Sequence, residues 1–216
     1  PPSLSFSQAA GYAVAYLTAY VAFVRRAQVE PGEWVLVHGA AGGVGLAAVD
    51  LAKHLGCKVI AASASDEKLA IIQREYAPDA VVNVTGGFRE RVKEITGGRG
   101  ADVIYDPVGG DVFDESIRCI AFNGRILSIG FTSGRLPVMP VNIALIKGIS
   151  LMGVRAGEYG RQLPEKGREN NAAIWDLAPH MKPRVHAEYA LDDWRAAFDT
   201  LANRTVVGKT IIRPDL

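Results

Sequence analysis

The sequence reads as an α/β protein built on a doubly wound, six-stranded parallel sheet. Short apolar runs alternate with helical patterns along most of its 216 residues. The runs are apolar on both faces, as strands covered by helices on each side must be. A glycine-rich loop, Gly39-Ala40-Ala41-Gly42-Gly43-Val44-Gly45, stands between the first run and the helix after it. For such a series the default strand order is 3-2-1-4-5-6.

The elements follow in order. Ser7 to about Ala27 is Ala-rich and apolar nearly all round, which predicts a buried helix with Ser7 as its cap. Pro31-Gly32-Glu33 marks a turn, and Trp34 to His38 is the first strand. Helical periodicity runs from Gly43 to Leu55 and stops at Gly56. Lys58–Ala62 is a strand, and Asp66–Tyr76 a helix capped by Ser65. Ala80–Asn83 is a strand, and Phe88–Thr96 a charged helix closed by Gly97-Gly98. Asp102–Tyr105, helix Val112–Ala121, Arg125–Ile129 and Ile149–Gly153 complete the set. The Pro-interrupted stretch 133–146 is weakly helical, and the polar, Gly- and Arg-rich stretch 155–170 reads as a loop. Asn171–Met181 then predicts a helix. Strand Val185–Ala190, helix Asp192–Ala202 and strand Lys209–Arg213 end the chain, a trio too short to be a domain.

Composition narrows the function classes. Hydrophobic residues at 49% and charged residues at 22% are those of a soluble globular protein. A net charge of +1 offers no electrostatic case for nucleic acid or an anionic membrane. Cys57 and Cys119, without CxxC spacing, form neither a zinc cluster nor a disulfide framework. No stretch approaches the ~20 apolar residues of a membrane span, and Pro1-Pro2-Ser3 lacks the basic start of a signal peptide. A cytoplasmic protein is expected. The chain opens without methionine, which raises the expectation that it is a piece of something longer.

The glycine loop follows a strand and opens a helix, the context in which such a pattern binds a dinucleotide. Gly42 and Gly43 let backbone approach a pyrophosphate, Gly45 lets the helix pack on the sheet, and the helix amides hold the anion. A site preferring NAD carries Asp or Glu at the end of strand two, about 20 residues on, for the ribose hydroxyls. Here that segment is Ala61-Ala62-Ser63-Ala64-Ser65, with no carboxylate. Ser63 can donate to a 2′-phosphate and Lys68, one helical turn later, can supply positive charge, so NADPH is the expected cofactor.

His38 to Ala47 resembles the phosphate loop of the zinc-free, ζ-crystallin-like quinone oxidoreductases of the medium-chain dehydrogenase/reductase superfamily. Ala15 to Tyr20, Gly100 to Gly110 and Gly124 to Gly130 resemble that family's other motifs, in order. The resemblance implies hydride transfer from NADPH to a quinone or activated alkene. It places Ala41, Gly42, Gly43 and Val44 on the pyrophosphate, and Ser63 and Lys68 on the 2′-phosphate. Asp106 to Gly109, Val108 among them, would run beside ribose and nicotinamide. Ile129, Gly130 and Phe131 would cradle the nicotinamide, with Thr18 near its carboxamide. Val84 stands where the family often has a tyrosine, removing one adenosine-phosphate contact. Val14 occupies the position of a zinc-ligating cysteine in the zinc-dependent relatives, so no metal is expected.

The resemblance also implies a domain plan. Residues 1–183 would form the NADP-binding Rossmann domain. Residues 184–216 would be the C-terminal part of a GroES-like substrate domain whose N-terminal part is absent from this chain. It implies a homodimer paired through the sixth strand's edge as well. No catalytic residue is nominated, since the nucleotide supplies the chemistry. Reduction of an enoyl-thioester by the same hydride geometry, and a bare nucleotide-binding module, stay open as alternatives. A short-chain dehydrogenase does not, because no tyrosine is followed four residues on by lysine.

Overall fold

The computed structural model describes residues 1–215. Its centre is a six-stranded parallel sheet of order β3-β2-β1-β4-β5-β6, the expected doubly wound series. The strands are β1 Trp34–Val37, β2 Lys58–Ser63, β3 Ala80–Asn83, β4 Ala101–Asp106, β5 Ile120–Ser128 and β6 Ser150–Gly153. On one face lie the long helix α1 (Phe6–Tyr20), α2 (Gly43–His54) and α3 (Asp66–Tyr76), over a core that includes Tyr12, Phe23, Val37, Leu51 and Tyr105. On the other lie α4 (Arg89–Ile95) and α5 (Gly110–Cys119), packed on Leu36, Ile60, Ile104 and Ile126. Apolar residues on both sides of each central strand are buried by this arrangement.

Several boundaries differ from the sequence reading. The first helix is capped by Ser5, not Ser7. Ser5 and Gln8 form a reciprocal capping box, Ser5 Oγ accepting from the Gln8 amide at 3.2 Å and Gln8 Oε1 from the Ser5 amide at 3.0 Å. Ser7 is instead buried beside Glu188. The helix then widens into π-type turns over Val21–Ala27. The helix before β5 ends at Cys119 rather than Ala121, and β5 starts at Ile120, with an irregular register opposite Ala101 and Val103.

The largest difference lies in 155–170, which is helical: α7 spans Ala156–Gln162 and α8 spans Pro164–Leu177, after α6 at Val141–Lys147. Its glycines read as breakers because propensity penalises them one at a time. Here two of them face each other across the helix pair. A Cβ on Gly167 would stand 2.9 Å from the Gly160 Cα and 3.0 Å from its carbonyl oxygen. The absence of side chains lets α7 and α8 approach closely, and Pro164 opens α8 where its missing N–H costs nothing.

After α8 a single 3-10 turn, Ala178–His180, leads to strand β7 (Val185–Ala190), helix α9 (Trp194–Ala202) and strand β8 (Lys209–Arg213). β7 and β8 form their own two-stranded parallel sheet. It is tied to the glycine loop through the Gly208 amide, which donates to the Ala41 carbonyl at 2.9 Å. Among the described residues no helix is long and apolar enough to cross a membrane.

Candidate functional site

The glycine loop turns at Gly39, whose φ of +57° is the left-handed conformation that glycine tolerates. The chain then enters α2 at Gly43 with Gly42 extended behind it, and no side chain caps the helix. The amides of the first turn are therefore left for an anion, at the positive end of the helix dipole. Gly45 does the packing expected of it. A Cβ there would lie 2.2 Å from the Gly39 oxygen and 2.7 Å from the Gly39 carbonyl carbon, so loop and helix close on each other only because it is glycine. These features fit a bound pyrophosphate.

The loop opens into a cleft of about 1070 Å³ along the carboxyl ends of β1, β2 and β4, where ligands of such sheets bind. Of the residues expected to hold cofactor, Gly42, Gly43, Val44, Ser63, Lys68 and Val108 line this cleft. Val84 forms part of its apolar wall, and its amide donates to the Ser63 carbonyl at 3.0 Å. The others lie outside the cleft wall. Ala41 is a buried residue of the loop itself. Thr18 lies on α1, its hydroxyl donating to the Val14 carbonyl at 2.8 Å. Ile129, Gly130 and Phe131 continue from the end of β5, where the Ile129 amide donates to the Asp106 carbonyl at 2.9 Å and Phe131 is exposed.

The loop after β4 is shaped by Asp106. This buried carboxylate accepts from the Val108 amide at 2.8 Å and the Gly109 amide at 2.9 Å, setting Pro107 and Val108 into the cleft wall. Burial raises its pKa above the ordinary carboxylate range, against the pull of the two amides. His38, at the end of β1, is buried and stays neutral, with burial pushing its pKa down to about 3. Its Nε2 lies 2.8 Å from Ser116 Oγ, which itself donates to the Val112 carbonyl at 2.7 Å. The serine proton is thus committed and Nε2 is the donor.

Lys68 is placed differently from the expectation of a free charge. Its ammonium donates to the backbone carbonyls of Arg204 and, at 3.1 Å, of Val206. Burial and the nearby Arg204 lower its pKa. The cleft's outer rim is completed by residues that the sequence did not single out: Arg184, His186, Arg204, Thr205 and Val207. Arg184 is spent on Glu75, at 2.8 Å, and on the Val207 carbonyl. No carboxylate among the described residues pairs with the exposed Arg204 guanidinium. These residues follow a loop and a short helix far from the glycine motif, and no local pattern announces them.

Comparison with known proteins agrees with this fold. Residues 43–170 match the family model described as zinc-binding dehydrogenase. The chain is 41% identical over 216 residues to quinone oxidoreductase-like protein 2 homolog of Nematostella vectensis, covering 98% of this chain and 59% of that protein. It is 34% identical to the quinone oxidoreductase of Salmonella typhimurium, covering 99% of this chain and 67% of that one. A mycobacterial structure solved in complex with NADPH superposes with a TM-score of 0.90 at 30% identity, over 99% of this chain and 66% of that one. The chain thus spans roughly three fifths to two thirds of the length of these relatives. A family match over residues 43–170, sequence likeness along 98–99% of the chain and a matching fold have one explanation: the chain belongs to the quinone oxidoreductase family of the medium-chain dehydrogenase/reductase superfamily.

Proposed function

We propose that this chain is the cofactor-binding portion of an NADPH-dependent oxidoreductase that passes hydride to a quinone or an activated alkene. The observation that carries the reading is the end of β2, where Ser63 stands in place of a carboxylate and the adjoining rim carries Lys68 and Arg204. A carboxylate there would repel a 2′-phosphate; a hydroxyl and two cations attract it. Glu67, the one carboxylate among the described lining residues, sits on the exposed outer turn of α3. When bound, the nicotinamide supplies the hydride. The chain's own part is to seat the pyrophosphate on α2, hold the 2′-phosphate at Ser63 and the rim, and orient the rings along Val108 and β5. Dissociation constants for NADPH and NADH, measured side by side, test the proposal. NADPH is expected to bind at least about tenfold tighter, ~1.4 kcal/mol, and Lys68→Ala to narrow that gap. Equal affinities overturn the NADPH assignment.

Residues 1–183 serve in this reading as the NADP-binding domain and 184–216 as part of the substrate domain. Exposed apolar residues on α9, Trp194, Phe198 and Leu201, support this, since a substrate domain's remainder would cover them. The enzyme works without zinc, because Val14 offers no ligand on the exposed face of α1 where the zinc-dependent relatives carry a cysteine. Two buried free thiols, Cys57 and Cys119, suit a reducing cytoplasm. The protein pairs as a homodimer through the edge of β6, where Leu151 on the strand and Leu145 and Ile146 on α6 are exposed beside the sheet's free edge. Light scattering on eluting protein should give twice the chain mass, and Leu151→Lys should give a monomer. A wild-type monomer at high concentration contradicts the pairing.

A further inference from the structure

The ammonium of Lys68 has three donors, and two are committed to carbonyls 136 and 138 residues away in sequence. The segment that they hold, Arg204–Val206, joins α9 to β8. Arg204 sits there at φ +54° as the left-handed residue that closes α9, the Arg204 amide donating to the Leu201 carbonyl at 3.0 Å and the Thr205 amide to the Thr200 carbonyl at 3.1 Å. The C-terminal sheet packs on α1, where Ser7 meets Glu188, and two further ties to the Rossmann core lie along the same rim as Lys68. Gly208 donates to Ala41 of the glycine loop, and Arg184 joins Glu75 of α3 to the Val207 carbonyl. Part of the joint between the two parts of the chain is therefore one wall of the cofactor cleft.

We propose that Lys68 is a positioning residue that couples occupancy of the 2′-phosphate end of the cleft to the order of the C-terminal sheet. The inference rests on the NADPH reading given above. Two of its N–H groups hold the Arg204–Val206 segment while the third takes a phosphate oxygen, and the same phosphate draws the Arg204 guanidinium inward. NADPH thereby fastens residues 204–213 to α3. NADH, with a hydroxyl at that position, leaves the two carbonyl tethers to act alone. In the whole protein the identity of the nucleotide would then set the rigidity of the strands that help form the substrate domain.

Hydrogen exchange of the full-length protein tests this, following the amides of Val206, Val207 and Gly208 without nucleotide, with saturating NADPH and with saturating NADH. In the wild type NADPH is expected to slow their exchange about fivefold more than NADH does, the mark of a local opening made rarer. Lys68→Met should speed exchange in the nucleotide-free protein and erase the difference between the nucleotides, while Lys68→Arg should keep part of it. Equal protection by both nucleotides in the wild type overturns the coupling. So does a Lys68→Met protein whose nucleotide-free exchange is unchanged. A parallel titration separates the causes: if neither nucleotide binds, the cofactor reading itself fails, whereas binding with equal protection defeats only the coupling.

Discussion

Gly45→Ala should abolish nucleotide binding and destabilise the domain by about 3 kcal/mol, the upper end of what overpacking costs. The added methyl would stand 2.2 Å from the Gly39 oxygen and 3.0 Å from the Ala40 Cα, both backbone atoms of the loop that shapes the anion site. Alanine in place of glycine within α2 gains roughly 1 kcal/mol of helix propensity, too little to offset such a clash. Relief would require the loop to move off the helix, which takes the first-turn amides away from the pyrophosphate. Gly43→Ala is the informative contrast. Its methyl would meet the flexible Lys209 side chain, 2.5 Å from Cε, which can swing aside. Urea unfolding and NADPH titration of both variants check the pair. A Gly45→Ala protein as stable and as tightly binding as the wild type would show that the loop does not close on the helix in this way.

Ser63→Asp should reverse the cofactor preference. Ser63 is the last residue of β2 and lies in the cleft wall, where a carboxylate meets either a 2′-phosphate or a pair of ribose hydroxyls. Repulsion is expected to weaken NADPH about 100-fold, ~2.7 kcal/mol, while NADH holds steady or gains from the new acceptor. Calorimetric titration of both nucleotides against wild type and variant gives the four constants needed. If the ratio of affinities does not move, the adenosine ribose does not lie at the end of β2.

Much of this architecture was legible in residue order. Lys58-Val59-Ile60-Ala61-Ala62 and Ala80-Val81-Val82-Asn83 read as buried strands because β-branched residues fill both faces. The helix from Asp66 to Tyr76 read correctly because Ser65 caps it, its hydroxyl accepting from the Lys68 amide at 3.3 Å. The first helix carries two serines, Ser5 and Ser7, both suited to capping. Which one caps depends on the partner three residues on, and Gln8 favours Ser5. The stretch 155–170 misled because a glycine's cost in isolation hides its value where two helices touch.

Local periodicity, turn chemistry and the spacing of the glycine loop were enough to settle the sheet and its winding and to propose the anion site. All three depend on neighbours within a few residues or on the narrow set of topologies open to alternating strands and helices. The rim of the cleft obeys no such rule. Lys68 meets Arg184 and Arg204 only after more than a hundred intervening residues have folded, and whether a lysine's donors are all free or two are held by carbonyls is decided by which chain segment arrives beside it.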